Sequence, residues 1–485
     1  MPAVSTGSTS FRDPENAAFF HEGTWYRIAG PSSAQALTQL HGSPLYDALV
    51  RDRSILSYEM VDAELAPKIL HEYGTRSGRR PSSAAVVFRV ETAPLITYPW
   101  EWPNSLLEAA AKLTLSLRMQ LLEVGLDLKD ASAFNVQFVG MKAVFIDIGS
   151  IEMWRPNPSW NASRQFIENF INPLAVGSGE HVTAADAWEL SRYRGLKSSA
   201  ARQLLPRSKR RGFSLRLLQA TTRPVAANAP SETEFAERAA RNKDLALKAT
   251  QGLTRRLLKQ VAKLHGTAHR TTWVDYGTRE HYGSDDLVRK SDFAADFVKA
   301  EPGRGDLVLD VGGNDGFTAA HLVRNANANV VVLDADAGAL DVLHAGISTT
   351  PDLVGRVTPI LGDITNLMPA AGLLDAEFSS FIERVRPTAI TCQAVLHHVV
   401  ITQGTPMGFA VDALARFGAP VQIEFANEDD EKVKILLSQI PNWQGEYSTE
   451  ALLVALRATF ADVEVVGTTS PTRVVVNAWN QLDLQ

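Results

Sequence analysis

The stretch Leu307-Val308-Leu309-Asp310-Val311-Gly312-Gly313-Asn314-Asp315-Gly316, running straight into Phe317-Thr318-Ala319-Ala320-His321-Leu322-Val323-Arg324, decides how this chain is read. A short apolar run ends in an acid and a glycine-rich turn, and a helical segment begins at once. Glycines at such a turn let backbone N–H groups and a helix N-terminus approach a ligand that a bulkier side chain would hold off. One strand later, Asn329-Val330-Val331-Val332-Leu333-Asp334 also ends in an acid. The tip of the second strand is where a doubly wound sheet binds the two hydroxyls of a ribose.

Outward from this point, apolar runs alternate with helical segments. The expected strands are Leu307 to Val311, Asn329 to Asp334, Val357 to Leu361, Ala389 to Val395, Pro420 to Phe425, Val463 to Gly467 and Arg473 to Trp479. Runs buried on both faces and separated by helices predict a parallel sheet covered on either side, an α/β arrangement. The last two lie close together in sequence and suit an antiparallel hairpin at one edge.

A glycine turn with a ribose-binding acid suits both nicotinamide dinucleotides and S-adenosylmethionine. The turn reads D-x-G-G-N-x-G and lacks the G-x-G-x-x-G spacing that accommodates a pyrophosphate, which favours S-adenosylmethionine. Asp310 then fixes the turn and the cofactor's amino-acid end. Asp363, in Leu361-Gly362-Asp363-Ile364, is placed to accept from the adenine amino group, with Ile364 against the ring. The segment resembles the class I S-adenosylmethionine-dependent methyltransferases, with Gly312, Gly313, Asn314, Gly316, Asp334 and Asp363 at the cofactor positions. The resemblance implies a seven-stranded Rossmann-like domain over 266–485.

In methyltransferases acting on small molecules, the end of the fourth strand faces the transferred methyl group. Here it reads Gln393-Ala394-Val395-Leu396-His397-His398. His397 or His398 is thus the candidate to take a proton from a hydroxyl nucleophile. Glu424, after the fifth strand, is a further candidate. The strand end lacks a (D/N)-P-P-(Y/F) tetrapeptide, and no Pro-Cys dipeptide offers covalent attack on a pyrimidine, so base methylation of DNA is not expected. Lys290 and Tyr282 are candidate contacts to the cofactor's amino-acid end.

Upstream, Tyr98-Pro99-Trp100-Glu101-Trp102 precedes a helical stretch from Ser105 to Val124, capped by Gly125. Leu128-Lys129-Asp130-Ala131-Ser132-Ala133-Phe134-Asn135-Val136-Gln137-Phe138 and Phe145-Ile146-Asp147-Ile148-Gly149-Ser150 follow. These segments are similar to the YPYEW, LKDATPYNVQF and FIDxxSFE segments of a large bacterial methyltransferase family. That likeness extends through Trp160 to Pro173, Thr272 to Tyr276 and Ser470 to Arg473. It implies methyl transfer to a small molecule, with O-methylation in secondary-metabolite or glycan biosynthesis foremost. Ile148 to Glu152 and Asn366 to Pro369 depart from the family's pattern, the second beside the adenine position.

The spacing of Asp130, Asn135 and Asp147 also resembles the catalytic loop and metal-binding acid of protein-kinase-like folds. No Gly-rich phosphate loop or V-A-I-K lysine precedes it, and Leu128 stands where H-R-D has histidine. Phosphoryl transfer is therefore not expected. A degenerate kinase-like module that binds a nucleotide is the alternative reading of this α+β region, 1–156.

The region 157–265 reads as helical, broken by the Pro- and Ala-rich stretch Thr221 to Thr233. Arg202, Arg207, Lys209, Arg210, Arg211 and Arg216 occur there without an acid among them, which opens a third reading as an RNA methyltransferase. The solvated basic face is the plainer explanation.

The composition agrees with a globular chain. Its 485 residues carry 48 basic and 54 acidic side chains, a net charge of −6, so no overall pull towards nucleic acid is expected. The lone Cys392 excludes an internal disulfide, and no metal site is expected. With no leader-like N-terminus and no apolar run of membrane-spanning length, the expected location is the cytoplasm. The expected partner is a small methyl acceptor, not a membrane, with a homodimer left open.

Overall fold

The computed structural model describes residues 13, 15–156, 160–179, 182–205, 210, 242–264, 284–300, 306–375, 377–440 and 442–482. It divides into two compact units, Met1–Thr267 with Gly372–Glu377, and Ala268–Ala371 with Phe378–Gln485.

The first unit opens with an antiparallel sheet of β1 (Ala17–His21), β2 (Thr24–Ala29), β3 (Tyr58–Met60) and β4 (Val86–Val90), in the order β1-β2-β4-β3. Glu22 and Gly23 join β1 to β2 with φ of 48° and 79°, the left-handed pair that a two-residue hairpin turn demands. One face of this sheet buries Phe19, Tyr26, Ile28 and Val87 against Ile69 and Tyr73 of the helix Leu65–Ser77.

The long helix Asn104–Glu123 follows and ends where Gly125 turns the chain with φ 75°. It buries residues around much of its circumference, among them Leu106, Leu107, Ala111, Leu115 and Leu122. Next come β5 (Leu126–Leu128), the hairpin of β6 (Val136–Val139) with β7 (Lys142–Phe145), and β8 (Ile151–Met153), which pairs back antiparallel to β5.

The described helices between residues 160 and 264 fall within the first unit, several of them packed onto Asn104–Glu123. The Asn104 amide donates to the Gly177 carbonyl at 2.8 Å, and Trp160 Nε1 donates to the Leu128 carbonyl at 2.7 Å. Arg118, 1% exposed, grips the Asp127 carboxylate with Nε and Nη2 at 2.6 and 2.9 Å, donates to Thr254 Oγ1 at 2.8 Å and lies 4.1 Å from the Trp160 ring centre. Such a side chain is tolerated in a core only when its donors are met, and here the partners come from both regions.

The second unit is a seven-stranded sheet with helices between its strands: β9 (Val308–Val311), β10 (Val330–Asp334), β11 (Val357–Leu361), β12 (Ala389–Gln393), β13 (Val421–Ala426), β14 (Phe460–Ser470) and β15 (Arg473–Gln481). The order is β11-β10-β9-β12-β13-β15-β14, all parallel except β15, which runs antiparallel to both neighbours. Strands β9, β12 and β13 are buried at every residue and read as mostly apolar runs, interrupted by Asp310, Thr391, Gln393, Gln422 and Glu424. Cys392 sits in β12 with no exposure, as a small core residue. The edge strand β14 carries Asp462 and Glu464 and two register shifts, features that discourage edge-to-edge pairing.

The chain runs from β9 outward to β10 and β11, then returns to start β12 on the other side of β9. That reversal is a switch point in the strand order at the carboxyl ends of β9 and β12, the place where open α/β sheets bind ligands.

Candidate active site

The glycine turn after β9 is built by backbone demands that its sequence meets. Gly312 and Gly316 hold φ of 69° and 78°, and Asn314 holds 47°, a left-handed angle that asparagine tolerates better than most side chains. The Gly312 N–H donates to the Leu333 carbonyl at 2.8 Å, and Gly316 N–H closes the turn on the Gly313 carbonyl at 2.9 Å. At Gly313 a β-carbon would lie 2.5 Å from Asp310 Oδ2 and 2.8 Å from Val332 Cγ1. Gly316 then starts the helix Phe317–Ala326.

Asp334, at the tip of β10, ties this turn down. Its Oδ2 accepts from the Asn314 N–H and its Oδ1 from the Asp336 N–H, both at 2.9 Å. Burial pushes its carboxyl up to about 6, opposed by those two N–H groups. Asp310 is 1% exposed. Its Oδ1 accepts from Thr391 Oγ1 of β12 at 2.7 Å, whereas its Oδ2 is buried with no hydrogen-bond partner. Burial pushes this carboxyl up to about 6 as well, against the Thr391 hydrogen bond and the positive charge of Lys290.

The structure therefore brings Asp310, Gly312, Gly313, Asn314, Gly316 and Asp334 into one turn. The residues suit the adenosyl sulfonium cofactor that the glycine turn implies: a buried, unpaired carboxylate oxygen calls for a positive or N–H-bearing group, and Asp334 keeps acceptor capacity at the strand tip.

Asp363 follows β11. Its Oδ1 accepts from both the Thr365 N–H and Oγ1 at 2.8 Å, and its Oδ2 from Gln403 Nε2 at 2.7 Å. Ile364 beside it is buried.

The segment after β12 is unusual. Ala394 holds φ 57°, a left-handed angle that its β-carbon disfavours, with its N–H on the Glu424 carbonyl at 3.0 Å. His398 then begins a π-helical turn, His398–Thr402, a conformation frequent at functional sites. The His397 and His398 rings lie 4.1 Å apart. Burial pushes His397 down to about 3, helped by its neighbour, and His398 down to about 4. Both are neutral imidazoles at physiological pH, and His397 Nδ1 is buried without a hydrogen-bond partner.

Glu424 faces the edge hairpin. Its Oε1 accepts from Thr469 Oγ1 at 2.6 Å, its Oε2 lies 3.7 Å from Arg473 Nη1, and Arg473 Nε in turn bonds Asp430 at 3.0 Å. Burial holds the Glu424 carboxyl above the usual range, opposed by the positive charge of Lys290.

Sequence reasoning missed Thr391, Gln393 and Gln403. Gln393 Oε1 accepts from Thr318 Oγ1 and its Nε2 donates to the Lys290 carbonyl, each at 3.0 Å, which pins the helix Ser284–Lys299 to the sheet. Two polar side chains inside the apolar run of β12 were the available signal. Tyr282, Thr272 to Tyr276, Thr221 to Thr233, and Arg207, Lys209, Arg211 and Arg216 lie outside the described residues. Of the basic stretch, Arg210 turns inward to donate to the Leu205 and Gln203 carbonyls at 2.7 and 2.8 Å.

In the first unit, Asp130, Asn135 and Asp147 do form a cluster. Burial raises the Asp130 carboxyl, as does the charge of Asp147, against the Ser132 N–H, which donates to its Oδ1 at 2.9 Å. Asp147 Oδ1 is paired with Arg27 Nη2 at 3.0 Å. Among the described residues no group of three or more His, Cys, Asp or Glu side chains is arranged to hold a metal ion, and no helix is long and apolar enough to cross a membrane.

No family model matches the chain. It is 28% identical over 454 residues to the nodulation protein NoeA of Rhizobium meliloti strain 1021, covering 92% of this chain and 90% of that protein. Among solved structures, it is similar to magnesium protoporphyrin IX methyltransferase (ChlM) of Synechocystis PCC 6803 with bound S-adenosylhomocysteine, at 15% identity and a TM-score of 0.31 over 43% of this chain and 95% of that one. The bifunctional kinase-methyltransferase WbdD gives 19% identity and a TM-score of 0.28 over 44% of this chain and 43% of that one. At those scores neither structural likeness bears on the assignment, which rests on the chain's own strand order and side chains.

Proposed function

We propose that the second unit transfers a methyl group from S-adenosylmethionine to a small molecule, with an oxygen as the acceptor atom, and that the first unit helps select that molecule. The observation that carries this reading is Asp310, whose buried Oδ2 lacks a partner beside the switch point between β9 and β12, one strand away from the Asp334 carboxylate. Asp334 would hold the ribose hydroxyls, Asp310 would answer the ammonium of the amino-acid end, and Asp363 with Ile364 would hold adenine. When bound, the cofactor supplies an electrophilic methyl on a sulfonium.

The chain's own task is then alignment and exclusion of water. His398, held neutral by burial, accepts a hydrogen bond from the acceptor hydroxyl and orients it; His397 packs behind it. A base this weak positions the hydroxyl without keeping its proton, which leaves to solvent as the O–CH3 bond forms and the methyl–sulfur bond breaks. Glu424 acts through the hairpin, by fixing the end of β13 to Thr469 and Arg473. The family resemblance in the sequence supports an acceptor from secondary-metabolite or glycan biosynthesis.

In the kinase-like alternative Asp147 would have to give up its ion pair with Arg27 to hold a metal-nucleotide. The test is mass spectrometry of metabolites from cells with and without the gene. A product heavier by one methyl, lost in Asp334→Ala, supports the reading; identical metabolite profiles count against it.

A further inference from the structure

Asp363 and Gln403 belong to loops that follow β11 and β12, and β10 and β9 lie between those two strands in the sheet. The two side chains nevertheless meet. Gln403 Nε2 donates to Asp363 Oδ2 at 2.7 Å, and Thr365 Oγ1, 2.8 Å from Asp363 Oδ1, lies 3.2 Å from Gln403 Oε1. The three side chains close a ring of polar contacts, in which the one Thr365 hydroxyl proton serves either Asp363 Oδ1 or Gln403 Oε1, and the ring bridges the strand ends on both sides of the glycine turn. All three contacts are exposed to solvent.

The chemistry of that ring matches the chemistry of the ligand. A primary carboxamide offers an N–H pair beside an acceptor oxygen, and the adenine edge offers a 6-amino N–H pair beside the acceptor N1. Gln403 therefore presents to Asp363 and Thr365 a donor and acceptor pattern like that of adenine. It stands at the end of the π-helical turn that begins at His398, with its N–H on the His398 carbonyl at 3.0 Å, and Gly404 follows with φ 71° and open space around it. Movement of Gln403 is thus mechanically joined to the histidine segment and has a glycine beside it to absorb the rotation.

We propose that Gln403 is an internal mimic of the adenine edge, a specificity residue that holds the Asp363 site closed until an adenosyl ligand displaces it. This rests on the methyltransferase reading given above. Because the strap is exposed, its net strength is that of one modest hydrogen bond to a charged group. Its removal should tighten adenosyl binding by about fivefold or more.

The experiment is isothermal titration of the full chain with S-adenosylhomocysteine and with S-inosylhomocysteine, which has a carbonyl in place of the 6-amino group. Wild type and Gln403→Ala are compared, with thermal unfolding confirming that both are folded. The expected result is tighter S-adenosylhomocysteine binding by Gln403→Ala and no gain for the inosyl compound. Unchanged or weaker binding of S-adenosylhomocysteine by the variant overturns the mimic and leaves the cofactor reading standing. An equal gain for both ligands overturns competition for the amino position. Absence of binding by both proteins overturns the cofactor reading and the mimic together.

Discussion

Val395 packs directly onto Gly312: a β-carbon on that glycine would overlap Val395 Cγ2. The contact joins the glycine turn after β9 to the segment that carries His397 and His398. Gly312 is thus required twice, for its φ of 69° and for the approach of Val395. Gly312→Ala should lose about 2–4 kcal/mol of stability, from overpacking together with the left-handed angle. Val395→Ala in the same chain should restore the overpacking part alone. Denaturant unfolding of the two single variants and the double variant measures this coupling, and strict additivity would contradict the contact.

The carboxyls of Asp310 and Asp334 set a pH dependence for ligand binding. Both are raised to about 6, chiefly by burial, so they begin to protonate in weak acid. If the ionised forms hold an ammonium and ribose hydroxyls, affinity for S-adenosylhomocysteine falls as pH drops through about 6. Asp310→Asn should flatten that profile and weaken binding at neutral pH by about tenfold or more. Titration calorimetry across the pH range checks it.

Stability also falls in acid through His397, with a sign opposite to the contribution of Asp310 and Asp334 to stability. Burial takes His397 from 6.5 to about 3, so the unfolded chain gains a proton on acidification that the folded one refuses. Its stabilising contribution is present above pH 6.5 and is lost as pH falls towards that lower value. Asp310 and Asp334 contribute stability that is full below 3.8 and lost as pH rises through about 6, which makes the wild-type acid limb shallower. His397→Asn should therefore reduce the acid-induced loss between about pH 7 and about pH 5, by about 2 kcal/mol at most. Denaturant midpoints at the two pH values measure the difference.

In the first unit, Arg118→Met leaves the Asp127 carboxylate buried without its bidentate partner. A loss of about 3–5 kcal/mol is expected, as for one half of a buried ion pair. Arg118→Met with Asp127→Leu should recover most of it. Affinity for S-adenosylhomocysteine in the folded fraction should not change, since the pair lies outside the unit that carries the glycine turn.

Much of the second unit could be read from sequence because β9 to β13 are buried on both faces. Val357–Leu361 coincides with the expected strand, and the closing hairpin of β14 and β15 lies where two neighbouring apolar runs predicted one. The glycine turn was legible for the same reason: positive φ at Gly312, Asn314 and Gly316 is a local backbone demand written in residue type. Ala394 carries no such mark. Its φ of 57° is imposed by tertiary packing, so the strand was expected to run on to Val395 when it stops at Gln393. The partners of charged groups were least legible. Arg27 on Asp147, Thr469 on Glu424 and Gln403 on Asp363 are long-range pairings set by sheet order and loop path, which no local pattern encodes.

The most direct measurement of the central claim is calorimetric titration of the wild-type chain with S-adenosylhomocysteine, repeated with Asp334→Ala and with NAD in place of the ligand. One site per chain for S-adenosylhomocysteine is expected, with at least tenfold weaker binding in the variant and no heat with NAD. No binding by the folded wild-type protein, or equal binding by Asp334→Ala, would contradict that claim.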